Sequence, residues 1–468
     1  MKRLILFILI VLLASCGDNS IPDGAKVLGF IQSPKGDQAL AVFYHNQGMY
    51  VKTGTRLNGP FDDVQGFSYS PLGTSPAFIF KKDGMDYLQI ANTIYGPYDK
   101  VWLPVFSSNE TRYGFYFIRS GKQWVTVGNE TFGEFDITSN PVFSPDGKTF
   151  AIAYISKAKY YVRVNSQTFG EFDQVWLPSF SQDSAQYAFR YRVNGAEYIV
   201  LNGEKFGPFE QVNPAVLANG GHYGFTYMEK GKFYIRIDGN VYGGYDFIWD
   251  PSFSPDGSLF GFYYNLGGGT LNNQQVIGGK YYCNIGGKVF GPYDKLWSAT
   301  FSADSARYAF SAQNGKAISV YTNGALLGTF PDAWTPKFAP GCSSMGYLYY
   351  DDGFFLNVDG TKYGPYEDAA GPEFSPSGDG WGYLYYKSSK WTMVVNGAEF
   401  PELDDAHSLM FDAAGKGYTF RFIKGGNRYV NINGTVFGPY EFFDVKPVSD
   451  GFALGYIESN KIVIKKVQ

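Results

Sequence analysis

Phe143-Ser144-Pro145-Asp146-Gly147 ends one apolar run with a turn, and the same five residues return as Phe253-Ser254-Pro255-Asp256-Gly257. Proline presets φ at the first central position of such a turn. Aspartate tolerates the second, and glycine takes the left-handed conformation that closes a bulged hairpin. Working outward, an equivalent turn falls at Pro34, Pro71, Ser108, Pro145, Gln182, Ala218, Pro255, Ala303, Pro340, Pro376, Ala413 and Ser449. Neighbouring positions lie 37, 37, 37, 37, 36, 37, 48, 37, 36, 37 and 36 residues apart. A period of this length signals an array of small supersecondary units, none of which can bury a core alone.

One well-formed copy, Gly96 to Phe132, shows the unit. It opens on Gly96-Pro97-Tyr98-Asp99, and strands are expected over Val101–Phe106, Arg112–Ile118 and Gln123–Val127. A short fourth strand ends in the next copy of the opening, Gly133-Glu134-Phe135-Asp136. The alternation Tyr113, Phe115, Phe117 has period two, which marks half-buried strands. A second turn recurs as Asn202-Gly203, Asp238-Gly239, Asn323-Gly324, Asp359-Gly360, Asn396-Gly397 and Asn433-Gly434. These pairs suit two-residue hairpin loops, whose central residues both need positive φ. Each unit is therefore a meander of four short strands, and the fold class is all-β, a β-propeller of twelve such repeats. The composition agrees: 58 Gly, 38 Tyr and 42 Phe suit short twisted strands and tight turns.

The two Phe-Ser-Pro-Asp-Gly turns, each with a proline two residues earlier (Pro141 and Pro251), resemble the WD40-like repeat of TolB-type propellers. The resemblance extends in degraded form over nearly the whole chain. Gln182, Ala218, Ala303 and Ala413 depart from it by replacing the turn proline. Ordinary propellers have four to eight blades. Two tandem six-bladed propellers, residues 25–246 and 247–468, are the simplest division; one large ring or a seven-plus-five split stay open. The last copy, Phe442 to Gln468, stops after its third strand, and Gly17 to Gly24 lacks the pattern to supply a fourth. A three-stranded closing blade is expected.

The first residues belong to another function. Lys2 and Arg3 precede an unbroken apolar run from Leu4 to Leu13, too short to span a bilayer but proportioned as a secretory signal. Leu13-Ala14-Ser15-Cys16 resembles a bacterial lipobox. That resemblance implies a signal peptide over 1–15, lipidation of Cys16 and a tether over 16–24. It also implies stable attachment to a membrane through several acyl chains. In enterobacterial lipoproteins, whose rule other bacterial groups do not all share, an aspartate right after the lipidated cysteine marks inner-membrane retention; Gly17 stands here, so the resemblance implies the outer membrane of a bacterial envelope. The net charge of −4 falls to about −6 without Lys2 and Arg3, which with export argues against a nucleic-acid partner. Cys283 and Cys342 fall at different points of the repeat and are expected as free thiols.

Function is less legible. Trp102, Trp176, Trp249, Trp297 and Trp334 recur six residues after the glycine of the opening, and His407 holds the equivalent place in a later copy. Such rings near a channel mouth could stack on a sugar or grip a peptide; rings at a fixed register also suit packing between blades. An acid follows the opening aromatic at Asp62, Asp99, Asp136, Asp173, Glu210, Asp246, Asp294, Glu367 and Glu441. These carboxylates suit backbone N–H groups in turns better than a ring of ligands. The 48-residue interval marks an insertion over Leu266 to Gly279, either a binding loop or a plain hairpin extension. His45, His222 and His407 lack metal-ligand spacing, no Gly-x-Ser-x-Gly is present, and no cofactor motif occurs. The expected role is a lipid-anchored envelope scaffold that binds a protein, peptide or glycan. The alternative is a carbohydrate-active enzyme with a carboxylate pair at a channel mouth.

Overall fold

The computed structural model describes residues 21–272, 275–341, 344–448, 451–458 and 461–467. Among these residues the chain folds as twelve antiparallel sheets in chain order, each a meander, with one single-turn 3₁₀ segment at Asn219–Gly221. They are the blades of a β-propeller. In blade three the strands are Tyr113–Arg119, Lys122–Val127 and Glu130–Phe135, preceded by a first strand in two pieces, Lys100–Val101 and Val105–Phe106. A continuous Val101–Phe106 strand is thus not what forms. Pro104 has no N–H to give the ladder, but the break does not depend on proline: blade eight breaks over Trp297–Ala299 without one, and the strand Asp368–Phe374 runs on through Pro372. The same break recurs at Pro141, Pro178 and Pro251. The 3₁₀ turn shortens copy six by one residue: Ala218 donates to His222 O at 2.8 Å where Ser144 donates to Thr149 O, so Asn219, and not Ala218 as the spacing suggests, holds the place of the turn proline.

The turns are locked by a residue the turn pattern hides. Ser144 is fully buried. Its hydroxyl donates to Asp146 Oδ1 at 2.7 Å, and accepts the N–H of Thr149 at 2.9 Å. Ser181, Ser254 and Ser302 repeat the arrangement with Asp183, Asp256 and Asp304. In the second turn Asn202 and Gly203 both have positive φ, and Asn202 Oδ1 accepts the N–H of Tyr187 at 2.8 Å. The turn residue thereby pins the start of the strand two positions back in the meander.

Blades are joined by stacked rings. Phe172, from the opening motif that ends blade four, stacks on Tyr191 of the next blade at 4.0 Å, and Tyr191 stacks on Tyr198 at 5.1 Å. The ladder recurs as Phe61–Phe80–Tyr87, Phe135–Tyr154–Tyr161, Phe209–Tyr227–Tyr234 and Tyr245–Tyr264–Tyr282. Glycine in the opening motif makes room for the last ring. A Cβ added to Gly207, whose φ is +122°, would fall 2.7 Å from the Tyr198 ring. Gly-x-aromatic is thus a steric rule: the glycine lets one ring lie flat, and the aromatic reaches the next blade.

The chain divides into two compact units. One is drawn from Met1–Gly133, Ser375–Leu384 and Ser388–Gln468, the other from Glu134–Phe374 and Tyr385–Lys387. The expected halves, 25–246 and 247–468, are not these units, because blade one packs directly on blade twelve. Lys446 Nζ donates to Gln32 O at 3.2 Å. A Cβ on Gly36 would fall 2.1 Å from Ala453 Cβ. Blade twelve has three strands, Phe443–Val448, Gly451–Glu458 and Lys461–Val467, as the sequence leads one to expect. Among the described residues no fourth strand joins this sheet, but Ile21 is buried with Ala41 and Phe43, with Ile462 against them. Phe43 holds the register place that in blade three belongs to Phe117, against which the Tyr98 ring packs, tilted, at 4.2 Å. Ile21 therefore covers the face that an opening aromatic covers elsewhere.

The insertion in blade seven is a hairpin extension. Its strands lengthen to Phe260–Asn272 and Gln275–Ile285. Asp246 accepts the Gly267 N–H at 2.7 Å, and buried Asn265 donates to Gly278 O at 3.2 Å.

Removing one rung of the ladder opens an interface without touching a turn. Phe172→Ala is expected to cost about 3 kcal/mol and to lower the melting temperature seen by near-ultraviolet circular dichroism. An unchanged melting curve would show that the stacked rings do not join the blades.

Candidate functional site

The tryptophans share one backbone register. The N–H of Trp102, Trp176, Trp249, Trp297 and Trp334 donates to the carbonyl of Tyr116, Arg190, Tyr263, Ser311 and Leu348 respectively, at 3.0 to 3.3 Å. What differs is the side chain on the accepting strand. Trp102 stacks on Tyr116 at 4.0 Å, with Lys100 Nζ 5.4 Å from its ring. Trp176 carries the Arg190 guanidinium at 4.2 Å and Arg192 at 5.8 Å. Trp249 stacks on Tyr263 at 4.6 Å and meets Phe247 edge-on at 4.6 Å. These three are covered by their own chain, as packing between strands and blades requires.

Trp297 and Trp334 are not. Their partner residues are Ser311 and Leu348, and neither supplies a flat face or a charge. The rings remain 39% and 44% exposed. Both line one cleft of about 700 Å³ in the second unit, together with Asp332, Lys337, Phe354 and Asp368. Phe354 sits 6.1 Å from the Trp334 ring and meets Tyr350 edge-on at 5.3 Å. Asp332 Oδ1 accepts the Ala333 N–H at 2.9 Å, and Asp368 Oδ1 accepts the Ala369 N–H at 2.8 Å, so both carboxylates are held in place. Lys337 Nζ pairs with Glu373 at 2.7 Å. The volume lies within the range of small-ligand sites.

His407 lies elsewhere. It lines a cleft of about 610 Å³ in the first unit, with Arg421, Arg428, Glu441, Phe442 and Asp444. Arg421 Nη2 is bonded to Asp444 Oδ1 at 2.9 Å, and Lys446 lies 3.8 Å from the same carboxylate. The charges there are largely matched within the chain. The six candidate residues thus separate into three half-buried against their neighbours, two brought together, and one apart. Cys16 lies outside the described residues.

The opening-motif carboxylates serve the loops. Asp62, Asp136 and Asp173 accept the N–H of Asp83, Lys157 and Asn194, each at 2.9 Å. Glu210 and Asp294 accept those of Lys230 and Gly315 at 2.7 Å. Each thereby caps the loop between the second and third strands of the following blade. The Lys159 ammonium beside Asp173 and the Asn194 N–H hold its carboxyl below the usual carboxylate range. Lys280 and the Gly315 N–H do the same for Asp294. No cluster of His, Cys, Asp or Glu that could hold a metal occurs among the described residues. Cys283 is a free, buried thiol that burial pushes up to about 12; Cys342 lies outside the described residues.

Sequence reasoning missed what separates one tryptophan from another. The deciding residue stands fourteen positions further on in each copy, from 102 to 116, 176 to 190, 249 to 263, 297 to 311 and 334 to 348. That residue was readable, but its meaning depends on strand pairing across a broken first strand.

No protein-family model and no curated protein matches the chain. Among solved structures it is similar to a eukaryotic initiation factor, with 11% identity and a TM-score of 0.36 over 82% of this chain and 89% of that one. It is also similar to the dihydro-heme d1 dehydrogenase NirN in complex with DHE, with 11% identity and a TM-score of 0.29 over 66% and 75% of the two chains.

The burial pattern sets an order of chemical reactivity. Under limiting N-bromosuccinimide, Trp297 and Trp334 should be oxidised ahead of Trp102, Trp176 and Trp249, as read by peptide mass spectrometry. Oxidation of Trp176 or Trp249 first would contradict the described packing.

Proposed function

We propose that this chain is a lipid-anchored binding scaffold of the bacterial cell envelope, a propeller of TolB-type repeats held at the outer membrane through Cys16. The observation that carries the binding half is the Trp297/Trp334 cleft. Two large rings at an otherwise architectural position lack the cover that their equivalents receive, and buried aromatic anchors are what interfaces use most. The anchoring half rests on the charged, apolar and Leu13-Ala14-Ser15-Cys16 succession at the N-terminus. Its physical sense is that several acyl chains at one residue hold a domain at a membrane without a spanning helix. The loop-capping role of the opening-motif carboxylates supports binding over catalysis, since those groups are engaged by backbone N–H groups and lysines.

Metabolic labelling with an alkyne-bearing fatty acid tests the anchor. The native chain should take up label and fractionate with membranes, and Cys16→Ala should lose both. Labelling that persists in Cys16→Ala would contradict the proposal.

A further inference from the structure

The ligand of the Trp297/Trp334 cleft has a chemistry that the chain itself displays elsewhere. This step rests on the cleft being a binding site. At the same register in blade five, the Arg190 guanidinium lies over the Trp176 ring at 4.2 Å, with Arg192 at 5.8 Å and the carboxylate of Glu197 bonded to Arg192. In blade three, Lys100 lies 5.4 Å from the Trp102 ring. Two of the three covered tryptophans thus carry a cation on the indole face, where the ring's negative quadrupole attracts it. Among the described residues, no cation is found over Trp297 or Trp334.

The charge of the cleft points the same way. Its one lysine, Lys337, is matched by Glu373 at 2.7 Å. That leaves Asp332 and Asp368 unopposed in the lining. A carboxylate only accepts hydrogen bonds, and each of these directs one oxygen to a backbone N–H and leaves the other for a donor. Anionic ligands would meet repulsion. A guanidinium meets all the requirements at once: it is planar, stacks on an indole, keeps its charge and donates in a fork that fits a carboxylate. The two sets of groups are also equivalent. Trp297 and Trp334 share a register in successive blades, and Asp332 and Asp368 each follow an opening motif and bond to the next residue's N–H.

We infer that the Trp297/Trp334 cleft binds a basic, arginine-bearing segment of a partner protein, with two arginines on equivalent subsites in the manner of Arg190 on Trp176.

Titration of the full-length lipidated chain in detergent tests this with a (Gly-Arg)3 peptide, its citrulline counterpart and cellohexaose. Citrulline keeps the planar shape and removes the charge. The arginine peptide should bind at least about tenfold more tightly than the citrulline peptide, and weaken as salt rises. Trp297→Ala with Trp334→Ala, and separately Asp332→Asn with Asp368→Asn, should each weaken it by about tenfold or more. The second pair is isosteric, and its melting temperature reports whether the fold is kept. Equal binding of the two peptides overturns the inference. So does binding of cellohexaose alone with loss in the tryptophan variant, which would keep the cleft as a site and change its ligand to a glycan. If no probe binds, and the tryptophan variant still retains every envelope protein that the native chain retains, the binding reading of the cleft falls as well.

Discussion

The structure depends on a ring from one blade lying on a ring of the next. Phe172 on Tyr191 at 4.0 Å, and Tyr191 on Tyr198 at 5.1 Å, is one instance of a ladder that returns along the chain. A four-stranded sheet of about 37 residues has no core of its own, so its stability resides in such interfaces. The opening motif serves the interface at each position. Its glycine clears space for the third-strand ring, its aromatic crosses to the next blade, and its acid caps that blade's loop. Where the motif is complete, it thus couples the order of one blade to that of its successor.

Where the ladder runs out, other residues take its place. Among the described residues blade twelve has three strands, and none carries an opening motif to blade one. Ile21 covers Phe43 instead, and Lys446 ties the two blades through Gln32 O. Among the described residues the two blades meet by packing and this hydrogen bond. The same economy explains the tryptophans. A ring at the entry to the first strand is covered when the second strand offers Tyr116, Arg190 or Tyr263, and left open when it offers Ser311 or Leu348.

The turns, the strand count and the three-stranded last blade were legible in the sequence because they rest on local rules: proline and glycine dihedrals, and period-two alternation. The break before Val105 was not legible, because an aromatic run reads as one strand whether or not it holds a proline, and blade eight breaks without one. The burial of Ser144 was hidden, since serine is a common turn residue and only the fold shows its hydroxyl holding both arms of the turn. The make-up of the compact units was hidden for a different reason. Blade one meeting blade twelve is a contact between chain ends, and a repeat count carries no information about it. At the candidate site the sequence supplied the right residue type at the right spacing, but grouped Trp297 and Trp334 with three rings that serve packing and with His407, which lines another cleft.

The central claim is that positions obeying the repeat are architecture and positions departing from it are available for binding. Matched substitutions at one register test it most directly: Trp249→Ala and Trp297→Ala, compared by melting temperature in the same buffer. Trp249 packs on three aromatic rings, so its loss should cost about 3 kcal/mol and lower the melting temperature. Trp297, exposed and without a stacking partner, should change stability by no more than about 0.5 kcal/mol. Equal destabilisation by the two would contradict the account, because it would make Trp297 as much a part of the architecture as Trp249.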